Sequence, residues 1–153
     1  MSVTIRPVRV SALVPAPPDE VFMFVADTRN DPEWCRNVTA VVQLAGEGID
    51  VGSRFRFHQA VEMRGRRLES DVEVEVLSIG DRTIEWSVDD RFQTRHVTLA
   101  VTPAKEGSRV TQQTTATFKR KSGLAQWLYP FLARRTFRDQ FAELAEVLGR
   151  RRM

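Results

Sequence analysis

Among its 153 residues the chain has one cysteine, one tyrosine and two histidines. Cys35 has no second thiol, so no intrachain disulfide staples the fold. Its neighbours Trp34 and Arg36 supply no base that would make it a nucleophile, and it reads as a small, partly buried residue. With His58 and His96 as the only imidazoles, no spacing gathers the three or four ligands of a metal site, and neither metal nor cofactor is expected. No glycine-rich loop opens a helix and no nucleophile elbow occurs, which removes nucleotide binding and serine-hydrolase chemistry. No run approaches the roughly 20 apolar residues of a membrane span. Arg6, Pro7 and Arg9 interrupt the N-terminal stretch before the apolar core of a secretion signal can form, so the expected setting is cytoplasmic.

What is present is a patterned chain. The hydrophobic fraction is 42%, too high for disorder, and 153 residues suffice to bury roughly 70% of the unfolded surface in one domain. With no linker or repeat, residues 1–153 read as a single domain. Lysine and arginine exceed aspartate and glutamate by three, but the signs are mostly interleaved. Basic clusters stand at Arg64, Arg66 and Arg67, at Lys119, Arg120 and Lys121, at Arg134, Arg135 and Arg138, and at Arg150, Arg151 and Arg152. Aromatics do not alternate with them as a base-stacking surface requires, so they read as solvated faces and nucleic acid is disfavoured as a partner.

Residues 3–14 alternate as a strand that ends at Pro15. Pro17, Pro18, Asp19 and Glu20 then open a helix with apolar Val21, Phe22, Phe24 and Val25. Asp31, Pro32 and Glu33 start a second short helix that runs through Trp34 and Cys35. Strands resume after Asn37. In the clearest pair, Phe55, Phe57, Val61 and Met63 oppose Arg54, Arg56, His58 and Glu62, while Leu68, Val72, Val74 and Val76 oppose Glu69, Asp71, Glu73 and Glu75. Arg64 and Gly65 supply the hairpin turn between them, so a basic outer row faces an acidic one. Three further strand patterns follow, centred on Trp86, Leu99 and Val110 to Phe118. A helical pattern then extends from Ser122 to Gly149, with Phe137, Phe141, Leu144 and Leu148 on one face and Pro130 expected to kink or restart it.

The simplest assembly is an α+β helix-grip fold: a curved antiparallel sheet of six to seven strands wrapped around the long C-terminal helix, with two short helices after the first strand. Between sheet and helix there is room for an apolar chamber. Polar residues on the inward phase are candidates for orienting a bound molecule: Gln59, Ser70, Arg95, Gln112 and Thr114. Their other reading is as satisfied core groups, Gln112 and Thr114 through cross-strand bonds or buried water and Arg95 through a head that reaches solvent. Phe55, Phe57, Val72, Val74, Trp86 and Leu99 would form the wall, with Trp127, Phe131, Phe137 and Phe141 from the helix.

The segment from Val14 to Asp27, Asp31-Pro32-Glu33-Trp34, Val51 to Arg56, and Gly123 to Phe131 resemble the START-like (SRPBCC) superfamily, in its polyketide cyclase/dehydrase branch. The likeness runs from about residue 8 to residue 149 and is specific for fold. It implies an elongated apolar cavity used for binding, carrying or cyclising lipids and polyketides, and it puts Trp34 where the family often closes the cavity mouth. It carries over no catalytic set. The leading expectation is therefore binding of an apolar lipid, isoprenoid or polyketide. The first alternative is a polyketide cyclase or dehydratase, which would use Arg95 with Gln112 or Thr114 but lacks an inward base unless His58 or His96 turns inward. The second is an interaction protein that uses the basic clusters or the closing helix. Self-association as a homodimer is left open.

Overall fold

The computed structural model describes residues 2–120 and 123–151, apart from the side chain of Met63; Lys121, Ser122 and Arg152 lie outside the described residues. In chain order the strands are β1 (Val3–Thr4), β2 (Val8–Val14), β3 (Val38–Ala45), β4 (Arg54–Met63), β5 (Arg66–Gly80), β6 (Thr83–Asp89), β7 (Gln93–Ala104) and β8 (Gly107–Phe118). Helix α1 (Pro18–Ala26) and a 3-10 helix (Thr28–Glu33) separate β2 from β3, and α2 (Gly123–Arg151) closes the chain. Among the described residues the strands form one open antiparallel sheet ordered β1-β8-β7-β6-β5-β4-β3, with β2 also paired to β8. This is the helix-grip α+β fold that the sequence pattern implies.

Proline sets the first break. The opening strand expected over 3–14 is divided into β1 and β2 around Pro7, which has no amide to give a ladder. Pro18 opens α1, where a missing N–H costs nothing, and Asp19 and Glu20 sit in the same first turn, complementing the dipole. Pro130 does not interrupt α2, which continues through it. The carbonyl that loses its donor belongs to Gln126, on a half-exposed turn.

The β4–β5 hairpin turns on Arg64 and Gly65, at φ of 51° and 76°, the two left-handed residues that a tight hairpin of matching twist needs. Its register places Arg56 opposite Glu73 and His58 opposite Asp71 on the outer face, and Phe55 opposite Val74 and Phe57 opposite Val72 on the inner. The outer pairs include Arg56–Glu73 at 3.4 Å and His58–Asp71 at 2.9 Å. These are exposed and screened, so they fix register more than they add stability. Toward the turn the inner row leaves the core: Gln59 is half-buried, and Ser70, Val61 and Leu68 are exposed.

Helix α2 buries Ala133, Phe137, Phe141, Leu144, Val147 and Leu148 as one stripe and packs chiefly over β2. Its last residue, Arg151, pairs with Glu33 at 2.9 Å and covers the Phe24 ring at 4.8 Å, fastening the helix end to both short helices. In the described first turns of α2 only Tyr129 packs on the core, edge-on to Phe118 at 5.5 Å between centroids, and the opposite face is open to solvent. Trp127 and Phe131, expected in the chamber wall, are 67% and 63% exposed and pack on each other at 5.9 Å between centroids. None of the described helices is long and apolar enough to cross a membrane.

Gly107, at φ 147°, opens β8 beside the end of β2. A Cβ there would collide with the Val14 carbonyl oxygen and the Ala16 amide nitrogen. Gly107→Ala should therefore cost about 1–3 kcal/mol, measured as a lower midpoint in urea unfolding. An unchanged midpoint would show that the β2–β8 seam yields.

Candidate functional site

A hollow of about 120 Å³ lies between the inner face of the sheet, the 3-10 helix and the middle of α2. Its wall includes Phe57 and Gln59 of β4, Val72 and Val74 of β5, Trp86 of β6, Arg95 and Leu99 of β7, Gln112 of β8, Phe137 of α2, and Trp34 just past the 3-10 helix. The sequence pattern had singled out each of these. The rest of that set falls elsewhere. Phe55, Thr114 and Phe141 are buried behind the wall, with Phe141 stacked on Trp34 at 6.1 Å and 12° between planes. Ser70, Trp127 and Phe131 are exposed and do not reach the hollow: the hairpin end carrying Ser70 runs past the core, and Trp127 and Phe131 stand on the side of α2 away from Tyr129, which packs on the core. Wider hollows open elsewhere on the surface, up to about 410 Å³ around Leu13 and Arg109. No residue lining that larger one carries a buried unpartnered polar atom.

The central hollow carries five. Thr28 Oγ1, Asp31 Oδ1, Trp34 Nε1, Trp86 Nε1 and Arg95 Nε are all buried without a hydrogen-bond partner. Each such group costs about 1–3 kcal/mol unless a ligand or water meets it. Gln112 is better served, since its Nε2 donates to Thr114 Oγ1, though at a long 3.4 Å. Arg95 has the Asp90 Oδ2 only at 4.0 Å, while the Asp90 Oδ1 accepts from the amides of Phe92 and Gln93, and the Arg95 guanidinium also acts on the Tyr129 hydroxyl.

Thr28 and Asp31 are absent from the sequence-based set, which took Asp31 only for a helix-starting residue. Their alignment comes from the type of helix. Asp27 caps it, its carboxylate accepting from the Arg29 amide at 3.1 Å and from the Arg29 guanidinium at 2.8 Å through each oxygen. Arg29 beside it holds the Asp27 carboxyl below the usual carboxylate range, against a smaller opposing effect of partial burial. Asp31 behaves in the opposite way. Burial pushes its carboxyl well above the usual range, and the Asp27 charge adds to this. The Trp34 indole faces Asp31 closely enough to favour the ionised form, but it does not reach hydrogen-bond geometry and does not reverse the effect. Cys35, on the same wall, is likewise raised by burial and then by Asp31, which keeps its thiol unreactive.

The hollow therefore contains an inward carboxyl, which the sequence reading lacked. The histidines do not supply one. His58 stands on the outer face between Asp71 and Glu69, and those hydrogen bonds raise its pKa; His96 pairs outward with Glu85 at 2.9 Å. The irregularity next to His58 falls in β3, between Val38 and Ala40 opposite Gln59 and His58, and the ladders of β4 with β5 and of β7 with its neighbours run in register past the histidines.

Residues 6–149 match the family model described as polyketide cyclase / dehydrase and lipid transport. The chain belongs to this family. Solved structures with the same fold include a Thermus thermophilus protein, 21% identical with a TM-score of 0.70 over 94% of this chain and 97% of its own. A START superfamily protein from Mycobacterium smegmatis is 15% identical, TM-score 0.70, over 97% of each chain. Ara h 8.0201 is 17% identical, TM-score 0.69, over 97% of this chain and 99% of its own. At such identities these likenesses establish the fold alone. No curated protein matches the chain in sequence.

Asp31 leaves a signature in stability. From about pH 4, where an ordinary carboxyl ionises, the unfolded chain releases this proton while the folded chain keeps it. Stability falls as pH rises toward the raised folded value and then levels. Asp31→Asn removes this slope, so its urea midpoint should gain on the wild type between pH 4 and pH 8. A difference independent of pH would contradict the protonated assignment.

Proposed function

We propose that residues 1–153 act as a single ligand-binding domain that takes up an apolar small molecule of lipid, isoprenoid or polyketide type in the central hollow. The observation that carries this reading is a wall of large apolar side chains set with buried, unpartnered polar atoms, the usual composition of a ligand pocket. Its volume favours a ring-sized molecule or one segment of a longer chain. Belonging to a family described by lipid transport and polyketide cyclisation supports the same reading. A cytoplasmic setting is part of the proposal.

A second reading is favoured by Asp31. A polyketide cyclase or dehydratase needs a carboxyl to move a proton and a cation to face an enolate oxygen, and Asp31 and Arg95 line the same hollow. Under it, a poly-β-ketone mimic disappears faster with protein than in buffer, and Arg95→Ala or Asp31→Asn removes the difference.

Binding is tested by native mass spectrometry of protein purified from its own host, followed by solvent extraction, with Val97→Phe as the control. Val97 lines the hollow from β7, and a phenyl ring there would occupy it at about 1–3 kcal/mol of overpacking. The wild type should carry an apolar molecule that the folded variant has lost at least about tenfold, roughly 1.4 kcal/mol in affinity. Equal loading of both proteins would place the ligand elsewhere.

A further inference from the structure

A 3-10 helix has three residues per turn, so side chains three apart stand in one row. The helix Thr28–Glu33 thus aligns Thr28 with Asp31, and Trp34, its C-cap, continues the row; all three line the hollow. They are 3%, 9% and 5% exposed, and each has a buried polar atom without a partner. Together they offer a hydroxyl, a carboxyl and an indole N–H along one wall of an otherwise apolar space. The charges around them select against ions. Arg95, which lines the same hollow from β7, opposes a cation, while the burial that raises Asp31 opposes an anion at this end.

We propose that Thr28, Asp31 and Trp34 form a recognition row for an uncharged oxygen group, a ketone carbonyl or a hydroxyl, on an apolar ring-sized ligand. The inference rests on the binding reading above and deepens it by naming the polar part of the ligand. Protonated Asp31 and the Trp34 indole donate to the ligand oxygen, and the Thr28 hydroxyl donates or accepts as the group requires. An ionised Asp31 would present only acceptors and repel a carbonyl, so recognition weakens as pH rises. The ionisable groups facing Asp31 are Asp27 ahead of it, Cys35 after it and Arg95 from β7; β3, β4, β5 and α2 present no ionisable group to the hollow.

The test compares acetophenone with α-methylstyrene, its isostere in which a methylene replaces the carbonyl oxygen. Both are titrated into ¹⁵N-labelled protein and followed by NMR from pH 5 to pH 9. The affinity ratio of ketone to hydrocarbon should be on the order of tenfold higher in the wild type than in Asp31→Leu at pH 5, and should decline in the wild type as pH rises. In Asp31→Asn, whose amide still donates, the preference should persist at every pH. A ratio that is the same in the wild type, Asp31→Leu and Thr28→Val, and flat with pH, overturns the recognition row while leaving hydrocarbon binding intact. Failure of both probes to bind the wild type overturns the row and the binding reading together. Should Asp31→Leu lose its native spectrum, Thr28→Val decides: a ketone-to-hydrocarbon ratio lowered severalfold against the wild type supports the proposal, and an unchanged ratio sinks it.

Discussion

Burial of one helical stripe against a sheet that curves beneath it organises the molecule. Phe141, Leu144 and Leu148 of α2 are almost wholly excluded from water, and at about 1.5–3 kcal/mol for each large side chain they dominate the attachment of helix to sheet. Arg151 then anchors the helix end through Glu33 and the Phe24 ring. Farther up the helix, at Phe137, the facing side chains are the valines at 72, 74, 88 and 97. Valine is too short to fill the space between the larger Phe57, Trp86, Leu99 and Phe137 side chains, so the hollow lies where the sheet places its shorter ones.

Under the proposed reading, that arrangement gives up stability for a site. An apolar core of this size would be firmer with every polar atom satisfied, yet the wall holds an acid, two indoles, a hydroxyl and a guanidinium nitrogen without partners. The local structure keeps them so. The Asp27–Arg29 pair fixes the start of the 3-10 helix, the stacked Phe141 fixes the Trp34 ring, and the period of three then directs Asp31 inward. Departures from full satisfaction concentrated in one hollow are the pattern expected where function opposes stability.

Much of this was legible in the sequence because it depends on short-range periodicity. Alternation fixed the inward phase of β4 and β5, Arg64-Gly65 fixed their register, and the spacing of Phe137, Phe141, Leu144 and Leu148 marked the buried stripe. What failed depends on extent. Phase says that Ser70 faces inward but not that the hairpin end outruns the core, and helical spacing alone did not reveal that Tyr129, not Trp127 and Phe131, turns to the core in the first turns of α2. Asp31 was missed for another reason. Aspartate near a helix start ordinarily caps it, and only the three-residue spacing of Thr28, Asp31 and Trp34 hinted at a different role. Such spacing has meaning only once the helix is known to be 3-10.

The most direct test of the central claim is a crystal structure of the protein under xenon pressure, since xenon enters apolar voids without needing a specific ligand. The account requires ordered xenon density among Val72, Trp86, Val97 and Phe137, with Trp34 still stacked on Phe141. A wall closed by those side chains, with no density between sheet and α2, would contradict it.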